Sequence, residues 1–366
     1  MAKVLIVANH ELTIYNFRME LLRALVENGY EVVLSLPEGE HLAEMTALGC
    51  IHENIAIKRH GMNPIEEIKL YKTYRKLLKQ EKPDVILGFT IKPNIYGAMA
   101  AKKEKIPFIA NITGLGTAVE SGGIKQKVFM MLYRMAFKKI EKVFFQNEEN
   151  EQFFLNHGIA NGKNHRLPGS GVNLERFSYK EYPSCETIRF TYNSRVMKEK
   201  GIDEYLNAAK QIKSEFPKTE FHICGFCEEE YNGRLEEFVK EGIVIYHGMI
   251  SNVPEYLMDK HCVVNPTFYP EGMSNVLLES AASGRAIIST DRAGSREAIE
   301  DGVNGYLIKE RDTESLVCAL RKFLTLSYEE QKQMGQKGRE KMEREFDRNI
   351  IVNTYLETIE KAIGRK

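Results

Sequence analysis

The chain has 366 residues, of which 43% are hydrophobic and 28% are charged, and its 51 basic side chains balance 51 acidic ones. This length exceeds what one hydrophobic core usually serves, so we expect two domains, and the ordinary composition excludes an intrinsically disordered chain. The zero net charge disfavours a generally basic nucleic-acid-binding protein, and we expect no nucleic-acid partner.

The N-terminal segment, Met1–Ala8, is predicted to be a strand rather than a signal peptide, because its short apolar run continues into polar residues and a helical pattern. No apolar run approaches the roughly 20 residues that a transmembrane helix needs. The six cysteines are scattered along the chain. We expect them to be reduced thiols in a cytoplasmic protein rather than a disulfide framework.

Strands and helices alternate through the first half of the chain. Lys3–Ala8 is a continuous apolar run, which is typical of a strand buried on both faces. A helix is predicted over Asn16–Asn28, ending before Gly29. Further strands are predicted at Glu31–Leu36, Pro83–Gly88, Pro107–Ala110 and Val143–Phe145.

A turn-rich segment near mid-chain, Leu167–Val172, is the predicted linker, and the alternation restarts beyond it. The residues from Tyr328 to Ile363 are polar and strongly helical. The predicted strands are Ile188–Tyr192, Glu220–Cys224, Ile243–Tyr246, Cys262–Asn265 and Ala286–Ser289, with helices such as Gly201–Phe216 and Ser274–Ser283 between them.

This pattern predicts an α/β protein with two Rossmann-like domains, 1–168 and 169–347, whose parallel sheets face an interdomain cleft. Ligands of such sheets bind beyond the carboxyl ends of the strands, so we expect the functional residues there.

The strongest cluster of polar residues surrounds the predicted helix start at Ser274. Glu271 precedes Gly272, which permits a tight turn and the close approach of a ligand. Ser274 and Asn275 would lie at the helix N-terminus, where backbone N–H groups favour phosphate oxygens. Glu279 could accept hydrogen bonds from the two hydroxyls of a ribose. Alternatively, Glu271 supports the turn and Glu279 is a solvated helix residue.

A second cluster, Asn193–Gly201, follows the first strand of the second half. Arg195 and Lys200 would lie between a strand end and a helix start, where a planar fork of donors and a compact charge both suit a diphosphate. They could offset the charge that develops when a nucleoside diphosphate leaves. The alternative is that both are surface cations near a helix end.

In order and spacing, the two clusters resemble the retaining GT-B glycosyltransferases of family 4, also called glycosyl transferases group 1. Arg195 and Lys200 match the Arg-x4-Lys of that family, and Glu271 and Glu279 match its Glu-x7-Glu. Further matches are Pro168–Asn173 with Phe177, Cys224–Gly225, Asp291–Glu297 and Asp301–Gly305.

The resemblance implies that Arg195 and Lys200 bind the donor diphosphate and act in catalysis with Glu271, which would hold the donor sugar. The reaction would retain the anomeric configuration without a metal or another cofactor, and the sequence contains no Asp-x-Asp motif. The final helix, from about Arg348, would return to the first domain. Implied donor contacts are Gly272, Met273, Ser274, Asn275, Glu279 at the ribose, and Met249 and Ile250 near the base.

Segments of the first half are similar to the subset of this family that extends polyprenyl-diphosphate-linked sugars. These segments are Asn9–Arg18, predicted as a loop that opens the first helix, Thr90–Gly97 and Asn111–Thr117. The subset implies an N-acetylhexosamine as the transferred sugar. The implied acceptor contacts are His10, Thr13, Ile14, Tyr15, Arg18, Lys92, Asn94, Thr113 and Gly114.

The stretch Lys125–Lys142 combines six cations with aromatic and aliphatic residues. Apolar bulk beside clustered cations could dock on an anionic membrane surface. The alternative is a helix that packs in the core with its charges in solvent.

We therefore expect a metal-independent, retaining transferase that uses a UDP-sugar and a polyprenyl-diphosphate-linked saccharide at the inner face of the plasma membrane. A soluble acceptor, or nucleotide-sugar binding without turnover, are open alternatives. Gly114-x-Gly116 lacks the later glycine and acidic partner of a dinucleotide-binding fingerprint, which disfavours an NAD-linked oxidoreductase. The lone Cys224–Cys227 pair disfavours zinc.

Overall fold

The computed structural model describes residues 1–57, 63–115 and 122–364, and the chain divides into two compact units. Unit 1 comprises Met1–Ser170, Pro270–Met273 and Arg348–Lys366, and unit 2 comprises Gly171–Tyr269 and Ser274–Asp347. Residues 270–273 were predicted to belong to the second domain, but their contacts group them with unit 1.

Unit 1 contains a seven-stranded sheet in the order β3-β2-β1-β4-β5-β6-β7, in which neighbouring strands are parallel. The strands are β1 Lys3–Val7, β2 Glu31–Leu36, β3 Ile51–Asn54, β4 Val85–Phe89, β5 Phe108–Ile112, β6 Lys142–Phe145 and β7 Asn164–Arg166. The helices are α1 Glu11–Glu27, α2 Leu42–Ala47, α3 Pro64–Glu81, α4 Ala98–Glu104, α5 Gly123–Ala136 and α6 Glu148–Asn156, with a π-helix at Pro93–Gly97 and a 3-10 turn at Phe137–Lys139.

Unit 2 contains a six-stranded parallel sheet in the order β10-β9-β8-β11-β12-β13. Its strands are β8 Ile188–Asn193, β9 Thr219–Cys224, β10 Ile245–Tyr246, β11 Cys262–Asn265, β12 Ala286–Thr290 and β13 Gly305–Ile308. Its helices are α7 Ile202–Glu215, α8 Asn232–Lys240, α9 Val253–Tyr256, α10 Asn275–Ala282, α11 Thr313–Thr325 and α12 Tyr328–Glu345, and the chain then enters α13 at Arg348–Ala362, which belongs to unit 1.

The two parallel-sheet α/β units confirm the predicted fold class. In each sheet the chain turns one way after its first strand and later continues on the other side of that strand. The reversal falls between β1 and β4 in unit 1 and between β8 and β11 in unit 2. Loops that leave adjacent strands in opposite directions open a crevice at the carboxyl edge, so these two edges are where ligands are expected.

Two predicted elements differ from the structure. Helix α1 begins at Glu11 rather than Asn16, because the His10 side chain caps it by accepting a hydrogen bond from the backbone N–H of Leu12 at 3.1 Å. Strand β10 has two residues instead of four. The helical stretch after Tyr328 divides at Phe346–Asp347, where the Phe346 carbonyl accepts a hydrogen bond from the backbone N–H of Val172, and α13 begins at Arg348, as expected for the final helix.

Helix α13 completes one side of the core of unit 1. Its residues Ile351, Val352, Tyr355 and Ile359 are buried in one cluster with side chains of β1, β2 and α1. The Tyr355 ring is fully buried, meets the Phe144 ring edge-on at 5.0 Å, and its hydroxyl contacts Asn111. The last helix is therefore part of the same hydrophobic core as the first strand.

Replacing Tyr355 by alanine is expected to lower the free energy of unfolding of unit 1 by about 3–5 kcal/mol, because a fully buried aromatic ring leaves a cavity. Denaturant titration followed by circular dichroism would measure this change. Glu357→Ala on the same helix is the control, since its side chain is exposed and the expected change is within about 0.5 kcal/mol. Equal effects of the two variants would show that α13 is not packed as described.

Candidate functional site

A pocket of about 410 Å³ opens at the carboxyl edge of the unit 2 sheet. It lies where β8 and β9 end and where α10 passes beside them. This is the crevice that the reversal of strand order creates. The pocket is lined by Asn193, Ser194, Arg195, Cys224, Gly225, Phe226, Met249, Ile250, Val253, Val276, Glu279 and Ser280.

A hydrogen-bonded network forms part of the pocket wall. The Asn193 carboxamide oxygen accepts from the Thr191 hydroxyl at 2.7 Å and from the Cys224 thiol at 3.2 Å. The Thr191 hydroxyl also lies 2.8 Å from the Tyr256 hydroxyl. Burial raises the pKa of the Cys224 thiol to about 12, so it stays protonated and acts as a donor.

The turn after β9 requires glycine. Gly225 has φ of +138°, and a Cβ atom there would lie 2.0 Å from the carbonyl oxygen of Ser194. Its backbone N–H donates to the Gly248 carbonyl at 2.8 Å. The loops after β8, β9 and β10 therefore approach one another closely, which places Arg195 and Met249 around one pocket.

Two cations share the ring of Tyr269. The Arg195 guanidinium lies 5.7 Å from the ring centroid and the Lys200 ammonium 4.9 Å from it. Burial, together with the charge of Arg195, lowers the pKa of Lys200 to about 8. The mutual repulsion of these cations would be relieved by an anion that binds between them.

Helix α10 places its N-terminus beside the same pocket. Val276 and Glu279 of this helix line the pocket, and Ser274 precedes its first residue, Asn275. The Ser274 hydroxyl does not cap the helix, because it accepts a hydrogen bond from the Asn265 side chain at 3.1 Å. The positive end of the helix dipole therefore lies beside a pocket that also carries Arg195.

The segment Pro270–Met273 has its own contacts within unit 1. The Asn147 side chain donates to the carbonyl oxygens of Glu271 at 3.2 Å and of Gly272 at 2.7 Å. Its carboxamide oxygen also accepts from the backbone N–H of Asn150, which caps α6. Asn147 thus holds Glu271 and Gly272 in place from a rigid helix start.

Gly272 is enclosed by residues that the sequence analysis assigned to the acceptor. A Cβ atom on Gly272 would lie 2.5 Å from the carbonyl oxygen of Thr113 and 2.2 Å from the side-chain oxygen of Gln146. A Cβ on Gly114 would lie 3.4 Å from the Gly272 backbone nitrogen. Thr113, Gly114, Glu271 and Gly272 are therefore neighbours. Gly116 and Thr117 of the same predicted motif lie outside the described residues.

A second group of predicted residues lies at the β1 and β4 ends in unit 1. His10 caps α1, and its Nδ1 atom is 2.8 Å from a carboxylate oxygen of Glu11. Thr90, directly after β4, has φ of +67°, and its hydroxyl accepts from the Asn9 backbone N–H at 3.3 Å. A β-branched residue in the left-handed region is strained, and such strain is concentrated at functional sites.

Several predicted acceptor contacts are buried instead. Ile14 is fully buried and Arg18 is 3% exposed, because both face the core from α1; the Arg18 guanidinium lies over the Phe89 ring and donates to the Phe17 carbonyl. Asn94 is 1% exposed and donates to the Asn111 carbonyl at 2.7 Å. These three side chains hold the fold, so we withdraw them as acceptor contacts.

The other acceptor candidates are partly exposed. Lys92 forms an ion pair with Glu67 at 2.7 Å, and the Tyr15 ring stacks on His41 at 3.9 Å. Thr13 is partly exposed in the first turn of α1. The segment Asn9–Arg18 was predicted as a loop, and from Glu11 onward it is helix.

The stretch Lys125–Lys142 is not one helix. Helix α5 ends at Ala136, a 3-10 turn follows, and β6 begins at Lys142. Phe129, Met130 and Tyr133 are buried on the core side. Lys125, Lys127, Arg134, Lys138 and Lys139 are exposed. The core packing and the exposed cations are thus on different faces of the same stretch.

Several residues of these sites were not among the individual contacts predicted, although Asn193 and Thr90 fall within predicted segments. Phe226 is 56% exposed at the mouth of the unit 2 pocket, and Asn193 lies in its wall. Both lie at or just after strand ends, and this position could have predicted that they line the pocket. Thr90 is distinguished by its backbone conformation, and Asn147 by a contact with a residue 124 positions away in the sequence. No local sequence pattern predicts either feature.

Within residues 1–57, 63–115 and 122–364, no group of three or more His, Cys, Asp or Glu side chains is arranged to hold a metal ion. Among those same residues, every helix is too short or too polar to cross a membrane.

Two family profiles match this sequence. The family described as "Glycosyl transferases group 1" matches residues 181–341, which include the unit 2 pocket. The family described as "Glycosyl transferase 4-like" matches residues 3–147, which hold most of unit 1.

Among curated proteins, the chain is 29% identical to the Campylobacter jejuni N,N'-diacetylbacillosaminyl-diphospho-undecaprenol alpha-1,3-N-acetylgalactosaminyltransferase, over 96% of both chains. It is 25% identical, over 70% of both chains, to the Escherichia coli UDP-Gal:alpha-D-GlcNAc-diphosphoundecaprenol alpha-1,3-galactosyltransferase.

Solved structures share the fold at low sequence identity. Anabaena HepE, crystallised with UDP, has a TM-score of 0.82 at 15% identity and covers 99% of this chain and 100% of its own. Sucrose-phosphate synthase of Thermosynechococcus elongatus has a TM-score of 0.78 at 16% identity, with both chains covered completely. With its two parallel-sheet units and these matches, the chain belongs to the group 1 (family 4) glycosyltransferases of the GT-B fold.

Proposed function

We propose that this glycosyltransferase moves an N-acetylhexosamine from a UDP-sugar to a polyprenyl-diphosphate-linked saccharide, with retention of the anomeric configuration and without a metal ion. The observation that carries the proposal is the unit 2 pocket, in which Arg195, Glu279 and the start of α10 surround one crevice. The acceptors named for the Campylobacter and Escherichia relatives support the acceptor class.

The donor would bind along the carboxyl edge of unit 2. Met249 and Ile250 would contact the base, and the Glu279 carboxylate would accept hydrogen bonds from the ribose hydroxyls. The diphosphate would lie between the cations beside Tyr269 and the N-terminus of α10, at Ser274 and Asn275. Each group on the nucleotide then meets a side chain of matching chemistry.

Sugar transfer would depend on stabilising the departing diphosphate. Arg195 and Lys200 carry fixed positive charge at the place where negative charge develops, so they would lower the barrier electrostatically. Glu271, with the backbone of Gly272 and Met273, would orient the donor sugar. Asn147 would act as a positioning residue, because it fixes the Glu271 and Gly272 carbonyls.

The acceptor would bind unit 1. His10, Thr13, Tyr15, Lys92, Thr113 and Gly114 remain candidates for its saccharide and diphosphate after the withdrawal of the buried residues. The exposed cations of Lys125–Lys142 would attract the anionic inner face of the plasma membrane, where such an acceptor is anchored.

A transfer assay tests the proposal. Wild-type protein is incubated with UDP-N-acetylhexosamines and anionic vesicles that carry a polyprenyl-diphosphate-linked saccharide, and the product linkage is read by NMR. We expect an α-linked product from an α-linked donor, full activity in EDTA, and a rate that falls as salt screens the membrane charge. A β-linked product, loss of activity in EDTA, or transfer only to soluble sugars would contradict the proposal.

Arg195→Ala is expected to weaken UDP binding roughly 10- to 100-fold, since a charge-assisted hydrogen bond to phosphate contributes about 1.5–3 kcal/mol. Titration calorimetry with UDP measures this. Arg234→Ala is the matched control, because Arg234 is also an exposed arginine of unit 2 paired with a carboxylate, Asp203, but it does not line the pocket. Equal losses in the two variants would refute the role of Arg195.

The affinity for UDP is expected to depend on pH through Lys200, whose pKa is lowered to about 8. Diphosphate binding favours the protonated ammonium, so affinity should fall as pH rises from 7 to 9, by about tenfold over this range. Lys200→Gln should bind UDP more weakly and with no such dependence. A wild-type affinity that stays flat over this range would disprove the assignment.

A further inference from the structure

Unit 1 carries a second and larger groove, of about 820 Å³, and none of its lining residues is among those proposed for the donor. It runs between α3, α4 and α5, and its floor includes Tyr96, Met99 and Leu132, which pack against the core. The volume is within the range of roughly 300–1,000 Å³ of pockets that bury most of a drug-sized ligand. The groove is therefore large enough for an extended apolar ligand.

The walls of this groove expose apolar side chains to solvent. Ile68 of α3 is 56% exposed and Met135 of α5 is 53% exposed, and both line the groove. Ile65, one turn before Ile68, is 78% exposed. Large apolar side chains that are exposed around one groove indicate a binding surface rather than chance exposure.

The net charge around the groove is positive. Lys102, Lys103 and Lys138 line it, and the lining carboxylate, Glu67, is paired with Lys92 at 2.7 Å. An apolar channel with ammonium groups around it is complementary to a hydrocarbon chain that ends in a phosphate.

The groove adjoins residues already considered for the acceptor. Glu67 and Tyr96 line it, and Lys92, the partner of Glu67, belongs to the segment Thr90–Gly97. A hydrocarbon chain in the groove would thus lie beside Tyr96 of that segment.

We propose that this groove binds the first isoprene units of the lipid-linked acceptor, with the surrounding lysines contacting its diphosphate. The inference rests on the proposed function for the identity of the lipid. The occupant is the acceptor's own chain, because the groove combines apolar walls with three lysines in one unit and is lined by Tyr96 of the acceptor segment Thr90–Gly97.

The test is calorimetric binding of farnesyl diphosphate, used below the concentration at which it aggregates and with UDP at saturation, so that the unit 2 pocket is filled. Wild type is expected to bind farnesyl diphosphate at least about tenfold more tightly than inorganic diphosphate, because only the former buries a chain. Met135→Glu should weaken farnesyl diphosphate binding by about tenfold or more, because it places a carboxylate in the apolar wall.

Met131→Glu is the matched control. Met131 is on the same helix and equally exposed, at 54%, but it does not line the groove, so its substitution should change the affinity less than about twofold. Unchanged UDP binding by both variants checks that they are folded.

Three results would overturn the groove assignment. The first is equal affinity for farnesyl diphosphate and inorganic diphosphate, and the second is equal weakening of binding by both methionine variants. The third is a dimer that Met135→Glu dissociates, because the groove would then bind a second copy of the chain. Chain-dependent binding without transfer to a polyprenyl-linked acceptor would refute the proposed function instead. Transfer without chain-dependent binding would refute the groove alone.

Discussion

The candidate donor site depends on one geometric constraint, which is that parallel strands end at the same edge of a sheet. In unit 2 the chain continues from β8 to β9 on one side and to β11 on the other, so the loops at that edge diverge. Arg195 follows β8 by two residues and Gly225 follows β9 by one, and both therefore reach the same pocket. The buried apolar strands thus fix the positions of polar groups that lie outside the hydrophobic core.

The cations at this edge are held at a cost to the unliganded protein. Lys200 is partly buried and close to Arg195, and its lowered pKa expresses the unfavourable free energy of that arrangement. An anion bound between the two cations would offset their repulsion and favour the protonated form of Lys200. The site is therefore organised before the ligand arrives, which is what electrostatic stabilisation of a leaving group requires.

Apolar runs and motif spacing predicted the central strands and the unit 2 site, because in both cases the signal is local. The short polar edge strands β3 and β7 carry no such run and were missed. The functional residues of unit 1 were harder to predict, because a resemblance between motifs does not show which side of α1 faces the core. Ile14 and Arg18 are buried there, whereas Asn147 reaches Glu271 through a contact that only the folded chain creates.

The position of α13 has a consequence for how the protein is made. The ribosome synthesises β1 to β7 first, then all of unit 2, and α13 after that. Until then, the surface of unit 1 that Ile351, Tyr355 and Ile359 cover lacks its partner. The nascent N-terminal half therefore carries exposed apolar surface through most of translation, a state in which growing chains aggregate or engage chaperones.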